Sequence, residues 1–236
     1  MIARAGEIVR GCLDLLESRV QPGVQTRDLD ESAEEFIRAR GGIPTFKGYR
    51  GFPGSICASP NDMVVHGIPG FTRLKEGDIL GIDVGVTFEG FIADAAITVP
   101  VGEISEEARS LMTATRESLM LAVQQCVSGK RIGDIGHAVQ AHVEARGYSV
   151  VRSLVGHGVG RQMHEDPQIP NFGVAGHGPR IAEGMVFAIE PMVNAGGFEV
   201  EVGADTWSIY TEDGGLSAHF EHTVAVTADG PRILTA

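Results

Sequence analysis

At 236 residues with 43% hydrophobic content, the chain is long enough to bury a sizeable core as one large domain or two fused halves. Its net charge of −12 argues against nucleic acid or an anionic membrane as an obligatory partner. Three widely spaced cysteines, Cys12, Cys57 and Cys126, make neither a disulfide framework nor a zinc finger. The opening MIARAGEIVR carries charges where a signal peptide is apolar, and no apolar run reaches the length of a membrane span, so the expected location is the cytoplasm.

Ala5, Ile8, Val9, Cys12 and Leu16 recur at helical spacing and predict a first helix over about 3–19, ended before Pro22. Thr26 is expected to cap a second helix, with Leu29, Ala33, Phe36 and Ile37 inward and Gly41-Gly42 as the stop. The Gly/Pro/aromatic segment that follows contains two strand-like pieces, near 55–58 and 63–66.

The stretch Glu76 to Thr98 alternates as a strand from Ile79 to Phe88, turns at Glu89-Gly90 and alternates again from Phe91. A two-residue loop there sets Asp83 opposite Ala96 and Asp94 opposite Gly85. Both acids then share a face, with Cβ atoms ~7 Å apart, and Gly81 and Gly85 leave room beside them. Buried unpaired carboxylates cost several kcal/mol each, and no Lys or Arg lies between Asp78 and Pro100. A bound metal ion is the expected source of positive charge.

Ser105 is expected to cap a long structural helix that runs to about Gly129, with Met112, Thr115, Leu119, Ala122 and Cys126 on one stripe. Beyond it the chain repeats itself: Gly23 to Gly42 aligns with Gly129 to Tyr148, and EGDILGID at Glu76 with EGMVFAIE at Glu183. Glu190 then takes the place of Asp83, and Glu221, in a final hairpin, that of Asp94. The repeat predicts two similar α/β halves about a pseudo-twofold, with four carboxylates converging at the centre. His157 and His164, set among glycines near this cluster, are expected to be ligands or catalytic groups. His137, His142, His177 and His219 read as surface or loop residues, and His222 is expected to face away from Glu221.

HGIPG (His66 to Gly70), IDVGVTFEGFIADAA, GHGVGRQMHEDP, FAIEP and FEHTVAV together resemble the type I methionine aminopeptidases, over nearly the whole chain. The resemblance implies an α+β pita-bread fold: two pseudo-twofold-related α/β halves, with a central curved antiparallel sheet covered by helices. It implies one catalytic domain over 1–236, with halves of about 1–115 and 116–236. The implied activity is hydrolytic removal of the initiator methionine from nascent chains, with a small second residue preferred.

Carried over position by position, the resemblance implies two divalent metal ions held by Asp83, Asp94, His157, Glu190 and Glu221, with Asp94 and Glu221 bridging. An oxygen-rich set with one imidazole is compatible with Mn, Fe, Co or Zn. Glu190 is the implied general base, and His66 and His164 are implied to contact substrate at the reacting carbonyl. Phe46, Tyr49, Phe52, Cys57, Met163 and Trp207 are implied to line the methionine pocket, where thioether contacts with aromatic edges are each worth roughly 0.3–1.5 kcal/mol.

Two positions depart from the family pattern: Met163, where an aromatic residue is common, and Arg50, where a His is frequent. The chain also begins within the segment that precedes or opens the first helix in that family. The implied partner is the N-terminal Met of nascent polypeptides, met near the ribosome exit by a monomer. A Pro-specific peptidase of the same fold, a non-catalytic peptide-binding module and the type II aminopeptidase are the competing readings. The last is disfavoured by the 26 residues that separate His164 from Glu190, too few for its long insertion.

Overall fold

The computed structural model describes all residues 1–236. Helix α1 (Ile2–Arg19) buries Ala5, Ile8, Val9, Cys12, Leu13 and Leu16 along the stripe the spacing predicts. Helix α2 (Thr26–Ala39) is capped by Gln25 rather than Thr26. The Asp28 carboxylate accepts from the Gln25 N–H at 3.3 Å, while the Thr26 hydroxyl is engaged by the backbone of Gly70.

Three short strands, β1 (Ile43–Pro44), β2 (Cys57–Pro60) and β3 (Met63–Val65), lead to the long hairpin of β4 (Ile79–Phe88) and β5 (Phe91–Pro100). Helix α3 (Glu106–Val123) starts as expected, with Ser105 Oγ accepting from the Ala108 N–H at 3.1 Å. It ends at Val123, short of Gly129, because the chain is drawn off through turns that deliver the Gly129 N–H to the Ile181 carbonyl at 2.9 Å. Helix α4 (Ile132–Glu144) precedes ten short strands. These are β6 (Ser149–Val150), β7 (Gly156–Gly158), β8 (Glu165–Ile169), β9 (Val186–Ile189), β10 (Met192–Asn194), β11 (Val200–Val202), β12 (Ile209–Thr211), β13 (Ser217–His219), β14 (His222–Thr227) and β15 (Gly230–Ile233).

The sequence repeat recurs in space. At the start of α4 the Asp134 carboxylate accepts from the Arg131 N–H at 2.8 Å, as the Asp28 carboxylate does from the Gln25 N–H at the start of α2. The isolated bridge Gln25 to Arg73 has its counterpart in Arg131 to Arg180. Antiparallel β4 and β5 are matched by antiparallel β9 and β14, although β9 and β14 are joined by the excursion that carries β10 to β13 instead of by a tight turn.

Two main ladders result: β4 with β1, β2 and β5, and β15-β14-β9-β7-β8. Small sheets β13-β10-β6 and β11-β12-β3 flank them. At the centre, Ala96 and Glu221 exchange backbone hydrogen bonds (3.4 and 2.8 Å), and the Thr223 hydroxyl donates to the Asp94 carbonyl at 2.7 Å.

Each ladder is covered on its outer face by its own helix pair. Leu13, Leu16, Leu29 and Ile37 pack on Leu80, Ile82, Val84 and Val86 in the first core, and Leu111, Leu119, Ile135 and Val139 on Phe187 and Ile189 in the second. At about 1.5–3 kcal/mol per fully buried side chain, these faces hold the ladders rigid and leave the inner faces to polar residues. No helix is long and apolar enough to cross a membrane.

Candidate metal centre

The β4–β5 turn fixes the first two acids. Glu89 (φ 49°) and Gly90 (φ 78°) are both left-handed, as a type I′ loop requires, and the resulting register sets Asp83 against Ala96 and Asp94 against Gly85. His157 lies on β7, Glu190 follows β9 and Glu221 precedes β14. Because His222 pairs with Ile189, one further step of that register places Glu221 opposite Glu190. All five side chains, with His66 and His164, line one cavity of about 240 Å³.

Donor atoms of Asp94, His157 and Glu221 lie within 4.8 Å of one another. Glu190 Oε1 is 3.5 Å from His157 Nε2, and none of the four acids has a Lys or Arg within ion-pair distance. Asp83 Oδ1, Asp94 Oδ1 and Glu221 Oε1 are buried with no hydrogen-bond partner. Such orphaned acceptors cost free energy unless something else satisfies them.

Burial, reinforced by neighbouring carboxylates, pushes Asp94, Glu190 and Glu221 well above the usual carboxylate range. Burial also lifts Asp83 to about 7. The Asp94 backbone itself is anchored, its N–H donating to Thr223 Oγ at 2.9 Å.

The imidazole is prepared in the complementary way. Burial, with help from His164, holds His157 down to about 4, so it is neutral at neutral pH. Its Nδ1 sits 2.9 Å from the Gly158 carbonyl and must carry the proton there, which leaves the Nε2 lone pair free toward the acids. Orphaned carboxylate oxygens around a bare imidazole nitrogen fit a divalent cation.

The apolar wall is contiguous with the acids. Phe46, Phe52, Cys57 and Met163 are buried in one cluster, with Tyr49 and Trp207 packed against it, and the Phe52 and Trp207 rings meet edge to face at 5.1 Å. All six line the cavity. Gly85 explains part of this arrangement: a Cβ there would lie 2.6 Å from the Phe46 ring. Gly85→Ala is therefore expected to displace Phe46 into the cavity, lowering stability by about 1–3 kcal/mol and raising KM for substrates whose side chain fills it. Thermal denaturation alongside kinetics measures both effects.

His66 takes up a left-handed backbone (φ 61°), uncommon outside glycine, at the end of β3. His164 sits at the mouth, its ring 4.3 Å from that of His157 and its Nδ1 2.8 Å from the Tyr49 hydroxyl. Arg50 lines the same cavity. Burial, and then the Arg50 guanidinium, hold His164 below its ordinary value.

His219 corrects the sequence reading. It is buried within β13, not on the surface, its N–H donating to Thr98 Oγ at 2.9 Å and its Nε2 without a partner. Burial holds it down to about 3. His142 is half-buried beside Glu117, while His137 and His177 are exposed as expected. His222 turns away from the acids, its Nδ1 3.0 Å from Thr235 Oγ1.

The sequence reading did not single out Val65, Leu154, Val155 and Met192, which also line the cavity. Met192 carried a signal: it follows Glu190 by two residues, the spacing that returns a side chain to the same strand face.

This buried, metal-fitting cluster between two similar half-sheets is a metallopeptidase arrangement. A profile of "Metallopeptidase family M24" matches residues 1–228, and the chain belongs to that family. It is 51% identical to "Methionine aminopeptidase" of Clostridium acetobutylicum over 98% of this chain and 93% of the relative. It is 50% identical to "Methionine aminopeptidase 1" of Bacillus subtilis over 100% and 95%. A crystal structure of methionine aminopeptidase from Rickettsia prowazekii superposes with a TM-score of 0.98 at 40% identity, covering 100% of this chain and 95% of that one. The fold is accordingly the α+β pita-bread fold. Family membership and donor set together imply the use of divalent metal.

Proposed function

We propose that the chain removes an N-terminal methionine from polypeptides by metal-dependent hydrolysis, with a preference for a small second residue. The observation that carries this reading is the buried acid–imidazole cluster open on one side to an apolar cavity of side-chain size. Similarity at about half identity along full-length methionine aminopeptidases supports the substrate.

In this reading Asp83, Asp94, His157, Glu190 and Glu221 would hold two divalent ions, of Mn, Fe, Co or Zn. Four ionised carboxylates balance two divalent charges, which gives a nearly neutral buried cluster. When bound there, such ions supply Lewis acidity toward a peptide carbonyl and acidify water.

The chain's own residues do the rest. Glu190 takes up the water proton on a carboxylate oxygen. His66 and His164 contact the substrate at the reacting carbonyl. Phe46, Phe52, Cys57, Met163 and Trp207 enclose the methionine side chain and keep water from it. The reading takes residues 1–236 as one catalytic domain with halves of about 1–115 and 116–236, the second core also drawing on Ile79, Ala108 and Leu111. It also includes a monomer acting in the cytoplasm near the ribosome exit, without membrane or specific nucleic-acid contacts.

Peptides that begin Met-Gly, Met-Leu and Gly-Pro, assayed side by side in metal-buffered solution, test the proposal. Met-Gly is expected to be cleaved at least about tenfold faster than Met-Leu, a modest steric discrimination of ~1.4 kcal/mol, and Gly-Pro not at all. Preference for Gly-Pro would overturn the reading in favour of a Pro-specific peptidase.

A further inference from the structure

Tyr49 is set on a turn with little freedom. Gly48 (φ 86°), Arg50 (φ 49°) and Gly51 (φ 93°) are all left-handed around it. The Tyr49 N–H donates to the Phe46 carbonyl at 2.9 Å and its carbonyl accepts from the Phe52 N–H at 2.9 Å, so the phenol is fixed between two walls of the cavity. Its hydroxyl lies 2.8 Å from His164 Nδ1, with ring centroids 5.6 Å apart.

The other partner is equally held. One carboxylate oxygen of Glu165 accepts from the N–H groups of Arg161 and Gln162, both at 2.8 Å, and locks the turn that ends in His164. The contact with Tyr49 is the one hydrogen bond His164 makes within the protein.

A neutral imidazole nitrogen is a strong acceptor and a phenol a better donor than acceptor, so the favoured arrangement is O–H to Nδ1. The Arg50 guanidinium, 5.4 Å from the Tyr49 ring, favours it further, because nearby positive charge polarises the O–H bond toward donation. With Nδ1 occupied as acceptor, the single imidazole proton resides on Nε2.

We propose that Tyr49 is a positioning residue whose hydroxyl fixes His164 in the Nε2–H tautomer, so that a hydrogen-bond donor faces the reacting carbonyl. The carbonyl half of this statement rests on the function proposed above; the tautomer does not. Charge that builds on a carbonyl oxygen is stabilised by a preset donor and repelled by a lone pair, so the choice of tautomer has catalytic consequence.

Nitrogen-15 spectra of histidine-labelled zinc-loaded protein, with His164→Ala to assign the signals, read the tautomer directly. Wild type is expected to carry the His164 proton on Nε2, and Tyr49→Phe to lose that bias while its phenyl ring still fills the wall. Turnover of a methionyl peptide by Tyr49→Phe is expected to fall about tenfold or more in kcat with KM within about twofold. A wild-type proton on Nδ1, an unchanged tautomer in Tyr49→Phe, or a loss confined to KM would each overturn the proposal. A tautomer shift in protein that cleaves no methionyl peptide would uphold the positioning role and overturn the function.

Discussion

Asp94→Asn is expected to lower kcat/KM by 10²- to 10⁴-fold in metal-buffered assay while the protein remains folded. The substitution keeps the shape of the side chain but replaces an anionic oxygen with an amide nitrogen that cannot ligate a cation. Removing one partner of a buried charge set typically costs about 3–5 kcal/mol, which sets that range. The backbone does not contribute, because the Asp94 N–H and carbonyl are both tied to Thr223 Oγ, contacts the amide side chain leaves intact.

The variant separates charge from architecture in a second way. Without metal, burial first and then Glu221 and Asp83 make an ionised Asp94 costly, so a neutral amide in its place removes that cost. Metal-free Asp94→Asn is expected to melt at or above metal-free wild type, and to gain less on addition of metal. Metal analysis together with calorimetry checks this, and full activity at wild-type metal affinity would remove Asp94 from the centre.

Much of this centre was legible in the chain because it depends on local rules. A two-residue turn at Glu89-Gly90 fixes the partner of every residue in both strands, so the diagonal placement of Asp83 and Asp94 followed from counting. The internal repeat carried the reading to Glu190 and Glu221, and the matching bonds from the Gln25 and Arg131 N–H groups to Asp28 and Asp134 show that the repeat extends to helix starts.

What was missed depends on partners distant in sequence. His219 looks like a loop residue beside Ser217, yet β13 pairs with β10 and its backbone bonds Thr98, 121 residues away. The Tyr49 to His164 bond spans 115 residues and leaves no trace in spacing. Gln25 displaced Thr26 as cap because the competing partner, Gly70, comes from another segment. Gly85 was noticed as vacant space, but its occupant, the Phe46 ring, arrives through tertiary packing.

The metal-free protein should be least stable where the enzyme is expected to work. Asp83 is lifted from 3.8 to about 7, and Asp94, Glu190 and Glu221 also bind protons more tightly folded than unfolded. A group raised on folding stabilises fully below its unfolded value and loses that contribution as pH climbs through the folded value. Buried His157, His219 and His222, held down to about 4, 3 and 4, act in the opposite sense: their cost fades as pH rises toward 6.5. Below 6.5 the two sets oppose each other.

Above 6.5 the opposing histidine contribution, that of His66 and His164 included, dies away within about one pH unit and the acids come to set the slope. Each proton still retained by the folded state then lowers stability by about 1.4 kcal/mol per pH unit. Urea denaturation of metal-free protein between pH 6.5 and 8.5 is therefore expected to show falling stability, with Asp83→Asn reducing the slope. Divalent metal should reverse the trend, because its ligands must be deprotonated and its stabilisation grows as they ionise. Metal-free stability that stays level or rises across this interval would mean that the four carboxylates do not share one buried, uncompensated site.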